Sequence, residues 1–170
     1  MRLANRLLVL IITVCLGLVT ISCQCAGGGG GSLALVPSPK VIKPSEQFEV
    51  KVQVEPGKQG VSAVEIKLSF DPQTMQVVEV KPGALLGERP LPGILNIDNE
   101  AGALSYSLAR IGTTEVPTPA ATFAVITFQV LNSAQPGDCE LSFTSVGLAN
   151  EKLEGIEDIR VKGTSVKIGS

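Results

Sequence analysis

The chain has 170 residues, which is room for one domain of ordinary size. Its 14 basic and 16 acidic residues give a net charge of -2, and 44% of the residues are hydrophobic against 18% charged. This balance is typical of a globular protein, and it lacks the basic excess that nucleic-acid binding requires. The sequence contains no histidine, which removes the usual general base, the Ser-His-Asp triad and the commonest metal ligand.

The first 22 residues are predicted to be an export signal. Two arginines precede an apolar run from Leu7 to Ile21, which has signal-peptide length and is shorter than the roughly 20 apolar residues of a membrane span. The small residue Ser22 stands directly before Cys23, and this pattern resembles the lipobox of bacterial lipoproteins. The resemblance implies that Cys23 is lipidated and becomes the mature N-terminus. The alternative is an ordinary secretory signal cut nearby, for example after Ala26.

A glycine-rich tether is predicted over residues 23–32, ahead of a domain over residues 33–170. The letters QCAGGGGGS at 24–32 are typical of a flexible spacer. Loss of the signal leaves 14 − 2 = 12 bases against 16 acids, a net charge of about -4. Both interpretations of the N-terminus export the protein. We expect a membrane-anchored lipoprotein on the cell surface, or a secreted protein if only a signal peptide is cut.

After cleavage, two cysteines remain in addition to the proposed lipid site at Cys23. They are Cys25 and Cys139. Cys139 shares one side of an alternating run with Leu141 and Phe143, which predicts a buried free thiol that packs as a small hydrophobic residue. A disulfide between Cys25 and Cys139 is the alternative. The sequence has no CxxC pair with zinc spacing, so we expect neither a metal nor a cofactor.

From Leu33 onward, apolar and polar residues alternate with a period of two, and turn residues interrupt the pattern at short intervals. The first strand, 33–36, is predicted to lie at a sheet edge because Pro37 and Pro39 follow it. Helical periodicity is limited to a single turn at 72–77. These features predict an all-β protein, a two-sheet antiparallel sandwich in one domain. The nine predicted strands are 33–36, 48–54, 64–70, 75–80, 94–97, 104–108, 122–131, 139–146 and 159–168.

Three stretches of this body resemble the cohesin domain of cellulosome scaffolds. They read GVSAVEIKLSFDPQTMQVVEVKPGALLG (60–87), AATFAVITFQV (120–130) and LSFTSVGLAN (141–150). The resemblance covers about residues 34–168 and implies a nine-stranded jelly-roll sandwich. It also implies a non-catalytic module that docks a dockerin on one flat sheet face. Dockerins are small calcium-loaded helical modules carried by polysaccharide-degrading enzymes.

The resemblance also implies where a partner binds. In type I cohesins, an Asn and an Asp before the aromatic-Asp-Pro step hydrogen-bond the dockerin helix, and these positions fall on Ala63 and Glu65. Glu65 keeps a carboxylate but Ala63 lacks the amide, so the partner is expected to be a dockerin-like and divergent one. Alternation places Ser69 and Thr144 outward as well, and a merely solvated face is the alternative. The predicted partner-binding face consists of Ala63, Glu65, Lys67, Ser105, Ser107, Glu140 and Ser142.

Direct carbohydrate binding is a second interpretation, because the cohesin fold is related to carbohydrate-binding modules. Sugars stack on exposed aromatic rings, and alternation predicts that only Phe123 points outward. The other rings, including Phe143 and Tyr106, fall on inward positions. One ring makes a poor platform, so a polysaccharide is the less favoured partner. A purely structural surface adhesin is a third interpretation.

An enzyme would have to rely on carboxylates alone. Asp98 with Glu100, and Glu154 with Glu157 and Asp158, are the candidate acid/base pairs for glycoside hydrolysis. Both groups lie in turn stretches, where carboxylates are usually solvated. We therefore expect no catalysis and no bound ion, and contact with a membrane only through the N-terminal lipid.

Overall fold

A computed structural model describes residues 30–112 and 119–169, which form eleven β-strands and no helix. The predicted signal, Cys23 and Cys25 lie outside the described residues. In the part of the chain that is described, no helix is long and apolar enough to cross a membrane. The strands are β1 (Ser32–Ser38), β2 (Val41–Ile42), β3 (Gln47–Glu55), β4 (Ala63–Phe70), β5 (Met75–Pro82), β6 (Leu91–Asp98), β7 (Ala103–Ala109), β8 (Ala121–Val130), β9 (Gly137–Ala149), β10 (Arg160–Lys162) and β11 (Thr164–Ile168).

The strands form two sheets that face each other across the core. Sheet A has the order β10-β1-β3-β8-β5, and sheet B has the order β2-β11-β9-β4-β7-β6. The pairings are antiparallel except for β1 with β10 and β2 with β11, which are parallel. The predicted all-β jelly-roll sandwich is confirmed, and each of the nine predicted strands is present.

The count rises to eleven because the chain crosses from sheet A to sheet B at both of its ends: β2 follows β1 outside the predicted strand 33–36, and the predicted strand 159–168 divides into β10 and β11. Gly163 lies at the second crossing, where an added Cβ would come within 2.7 Å of the Leu141 carbonyl oxygen. Only glycine allows the two backbones to approach this closely. The prediction that strand 33–36 is an edge strand is wrong for Leu33 and Ala34, which pair with β10, whereas no described strand pairs with Leu35 and Val36 on that side.

Alternating apolar side chains fill the space between the sheets, as their period of two predicts. Aromatic rings meet at the centre. Phe128 stacks on Phe48 and makes an edge-to-face contact with Phe70, and both centroid distances are 5.5 Å. Tyr106 contacts Phe123 at 5.5 Å. Burial raises the pKa of the Tyr106 hydroxyl.

The predicted outward orientation of Phe123 is wrong, because β8 contains a bulge. Val52 pairs with Ala124 and Gln53 pairs with Thr122, which leaves Phe123 as an extra residue. An inserted residue changes the alternation, so Phe123 and Ala124 both point into the core. Phe123 is 1% exposed.

Cys139 is a buried free thiol, as predicted, within the described residues. Burial, and then the nearby negative charge of Asp71, raise the pKa of this thiol. The alternative disulfide involves Cys25, which lies outside the described part of the chain.

The folded domain begins slightly before the predicted boundary at residue 33. An added Cβ at Gly30 would lie 2.3 Å from the Asp158 carbonyl oxygen, so Gly30 already packs against the domain. The Ser32 hydroxyl donates a hydrogen bond to Glu55 at 2.9 Å. The last residues of the predicted tether therefore belong to the domain, and the chain enters the sandwich beside residues 157–160.

Candidate partner-binding face

The outer face of sheet B carries the side chains that the sequence singled out, because β9, β4, β7 and β6 lie side by side there. Residues that pair across neighbouring strands point to the same side of a sheet. Paired residues of β7, β4 and β9 therefore form three rows across this face. Glu140 lies outside these rows, on β9 beside Ser165 of β11. The rows are Ala109-Ala63-Ala149, Ser107-Glu65-Gly147 and Ser105-Lys67-Ser145, and Ser142 pairs with Ser69 beyond them.

Several polar groups on this face are already engaged with each other. Lys67 forms an ion pair with Glu65 at 3.9 Å, and both side chains are about half exposed. The hydroxyls of Ser69 and Ser142 are hydrogen-bonded at 3.0 Å. The Ser107 hydroxyl accepts a hydrogen bond from the backbone N–H of Ile94 at 2.7 Å. Ser107, a predicted binding residue, thus helps to hold β6 against β7.

A bulge in β9 decides which of its residues reach the face. Leu68 pairs with Phe143 and Lys67 pairs with Ser145, so Thr144 is an extra and exposed residue. The outward positions consequently change from even to odd numbers along β9. Sequence alternation found Ser142 but missed Ser145, Gly147 and Ala149, since no local signal in the sequence marks the inserted residue.

Small residues leave a depression of about 370 Å³ at one end of the face. Ala63, Gly93 and Gly147 line it from three different strands, and Leu91 and Glu65 also border it. An added Cβ at Gly147 would find its nearest neighbour, the Cβ of Glu65, at 3.9 Å. The space above Gly147 is therefore open to solvent. Its detection requires the strand register, which the sequence does not supply.

Two of the five carboxylates considered for catalysis, Asp98 and Glu154, stabilise turns. Asp98 accepts hydrogen bonds from the backbone N–H groups of Glu100 and Ala101 at 3.1 and 2.8 Å. Glu154 accepts one from the side-chain amide of Asn150 at 3.0 Å. The described residues contain no group of His, Cys, Asp or Glu that is arranged to hold a metal ion.

No aromatic ring of this protein is exposed. The sequence has five Phe, one Tyr and no Trp, and all six rings lie in the described residues. Phe143 is half-buried and packs against the core. The fully buried rings are Phe48, Phe70, Tyr106, Phe123 and Phe128.

A family model described as the cohesin domain matches residues 34–167. The chain belongs to the cohesin domain family. The comparison with curated proteins found no match.

Solved cohesin structures share the fold of this cohesin at low sequence identity. A type II cohesin dyad from the adaptor ScaA scaffoldin of Acetivibrio cellulolyticus has a TM-score of 0.69 and 18% identity over 81% of this chain, which spans 48% of the dyad. A non-cellulosomal cohesin from the archaeon Archaeoglobus fulgidus has a TM-score of 0.65 and 13% identity, covering 83% of this chain and 92% of that one. The sixth cohesin of A. cellulolyticus scaffoldin B, in complex with a Cel5 dockerin variant, has a TM-score of 0.65 and 17% identity, covering 82% and 99%.

Proposed function

We propose that this cohesin is a non-catalytic docking module that binds a dockerin-like protein on the outer face of sheet B. The observation that carries the proposal is this face itself: four adjacent strands with small, mildly polar side chains and one apolar depression. A helical partner needs such a flat surface with a pocket for an anchoring side chain. The complex of a similar cohesin with a Cel5 dockerin supports a partner of this class.

Recognition would depend more on shape than on charge. Ala63 provides no amide, and Glu65 and Lys67 largely offset each other's charge. We infer that an aliphatic side chain of the partner fills the depression, while Glu65 and the exposed serines accept or donate a few hydrogen bonds around it. The partner would then differ from a type I dockerin in the residue that meets position 63.

The module would act outside the cell. A lipid on Cys23 would hold it at the cell surface, and a dockerin-bearing hydrolase would be kept there for polysaccharide degradation. Cleavage as an ordinary signal peptide would instead yield a secreted module with the same binding face.

Direct carbohydrate binding gains no support from the site. The buried position of Phe123 removes the one ring that alternation placed outward, and hydroxyl-rich ligands would find no stacking surface on either sheet.

The proposal is tested by affinity capture from the secreted proteins of the source organism. The mature chain, immobilised through its C-terminus, is expected to retain a dockerin-bearing protein in calcium and to release it in EDTA. Chelation would unfold the calcium-loaded dockerin and leave this domain folded, which its thermal melt in EDTA checks. Retention of polysaccharide on a glycan array, with no captured dockerin, would contradict the proposal.

A further inference from the structure

Strand β6 forms an open edge of sheet B and exposes aliphatic side chains there. In the part of the chain that the structure describes, β6 pairs only with β7. Leu91, Ile94 and Leu95 are 54%, 50% and 55% exposed. The segment from Pro90 to Ile97 contains no charged residue. Free backbone groups on an uncharged, apolar edge are suited to pairing with another strand.

The other three sheet edges carry short or charged strands, which sets β6 apart, and the part of β1 that extends past β10 contains Pro37. β10 has three residues, two of them Arg160 and Lys162, and β2 has only two residues. β5 carries the ion pair of Glu79 with Lys81 at 2.7 Å and a bulge after Val77. Short length, charge and bulges are the usual means of preventing edge pairing. β6 has its bulge between Pro92 and Leu95, and the stretch from Leu95 to Asp98 is regular.

A second copy of this chain fits the edge in both charge and hydrogen bonding. Two identical strands pair antiparallel about a two-fold axis, so each copy supplies the same donors and acceptors to the other. The whole chain is negatively charged, and an uncharged edge is the place where two copies meet without repulsion. Exposed Leu and Ile side chains from each copy would cover one another.

We propose that this cohesin forms a homodimer by antiparallel pairing of β6 with β6 of a second copy. The two-fold axis is perpendicular to the sheet, so the outer faces of both copies point the same way and join into one continuous surface. The depression at Leu91 and Gly93 lies beside this junction. One strand pair with a few aliphatic side chains belongs to the small interfaces, below about 1,200 Å². The dimer is therefore weak, with a dissociation constant in roughly the micromolar range or above.

Sedimentation equilibrium of residues 24–170, which include every described strand, tests the dimer without any dockerin present. A monomer–dimer equilibrium is expected for the native sequence, and Leu95→Lys is expected to weaken it at least about tenfold, because it places like charges on both strands of the interface. Ile94→Lys is a second variant with the same expected effect. Both side chains are half exposed, so folding is retained, and a thermal melt checks this.

Val161→Lys on β10 and Val78→Lys on β5 are the matched controls. They place the same charge at side chains of similar exposure on other edges, and they are expected to leave the equilibrium unchanged. A native protein that stays monomeric up to near-millimolar concentration overturns the proposal. A dimer that the control variants weaken as much as Leu95→Lys overturns it too, since the interface would then lie elsewhere.

Discussion

Two inserted residues, Phe123 in β8 and Thr144 in β9, change which side chains reach each face of the sandwich. Phe123 adds a ring beside Tyr106 in the core. Thr144 shifts the outward positions so that Gly147 and Ala149 join the rows of β4. The first bulge therefore enlarges the core, and the second creates the depression on the proposed binding face.

Phe123→Ala tests the bulge in β8 directly. Truncation of a fully buried Phe leaves a cavity and costs about 3–5 kcal/mol in the free energy of unfolding. Phe70→Ala, at a ring that both alternation and the structure place in the core, is expected to cost a similar amount. Urea denaturation measures both. A loss below about 1 kcal/mol for Phe123→Ala, beside a large loss for Phe70→Ala, would mean that the ring points to solvent.

At the scale of elements, one side chain ties the two sheets together. Asn99, in the turn between β6 and β7, accepts a hydrogen bond from the backbone N–H of Val77 at 2.8 Å and donates one to its carbonyl at 3.1 Å. Val77 pairs with Phe128 of β8 on one side, and no strand of the described chain lies on its other side because β5 is at the edge of sheet A. The amide of Asn99 thus takes the place of a neighbouring strand at this position.

Asn99→Ala is expected to lower the free energy of unfolding by about 1–3 kcal/mol, because it leaves a partly buried N–H and carbonyl without partners. Asn96→Ala is the matched control: Asn96 is exposed on β6, and a change within about 0.5 kcal/mol is expected there. Thermal and urea unfolding measure both variants. Equal effects of the two substitutions would show that the Asn99 contacts contribute little.

The sequence predicts the strands well, but it predicts only part of the residues on the outer face of sheet B. Alternation with a period of two depends on residues near one another in the chain, so it locates 48–54 and 64–70 within a residue or two. The sheet crossing at Gly163, the bulge at Phe123 and the pairing of Gly147 with Glu65 depend on neighbours far along the chain. Such features have no local pattern, and they determine the depression.

At the scale of the whole molecule, the chain enters and leaves the sandwich at opposite ends. Ser32 lies beside Glu55, whereas Ile168 lies beside Gly137 at the far end of β9. The depression lies at the end where the chain enters, since an added Cβ at Gly31 would be 3.0 Å from Leu148. Seven residue steps separate Cys23 from Gly30, a reach of at most about 25 Å. A lipid on Cys23 would thus keep the binding face close to the membrane.

Cys23→Ala is expected to move the full chain from the membrane fraction to the soluble exported fraction, because it removes the only predicted lipid site. Cys25→Ala is the matched control, and it is expected to stay in the membrane fraction. Fractionation followed by immunoblotting measures both. A Cys23→Ala protein that still sediments with membranes would contradict the lipoprotein prediction.

The most direct test of the binding face is the affinity of the captured partner for a variant with a filled depression. Gly147→Val places its side chain in the open space, where an added Cβ has its nearest neighbour at 3.9 Å, and Gly169→Val adds the same bulk at the opposite end of the sandwich, with its nearest neighbours at 3.7 Å. Isothermal titration is expected to give at least tenfold weaker binding for Gly147→Val, equivalent to about 1.4 kcal/mol, and native affinity for Gly169→Val. Native affinity for Gly147→Val would show that the partner binds elsewhere on the domain.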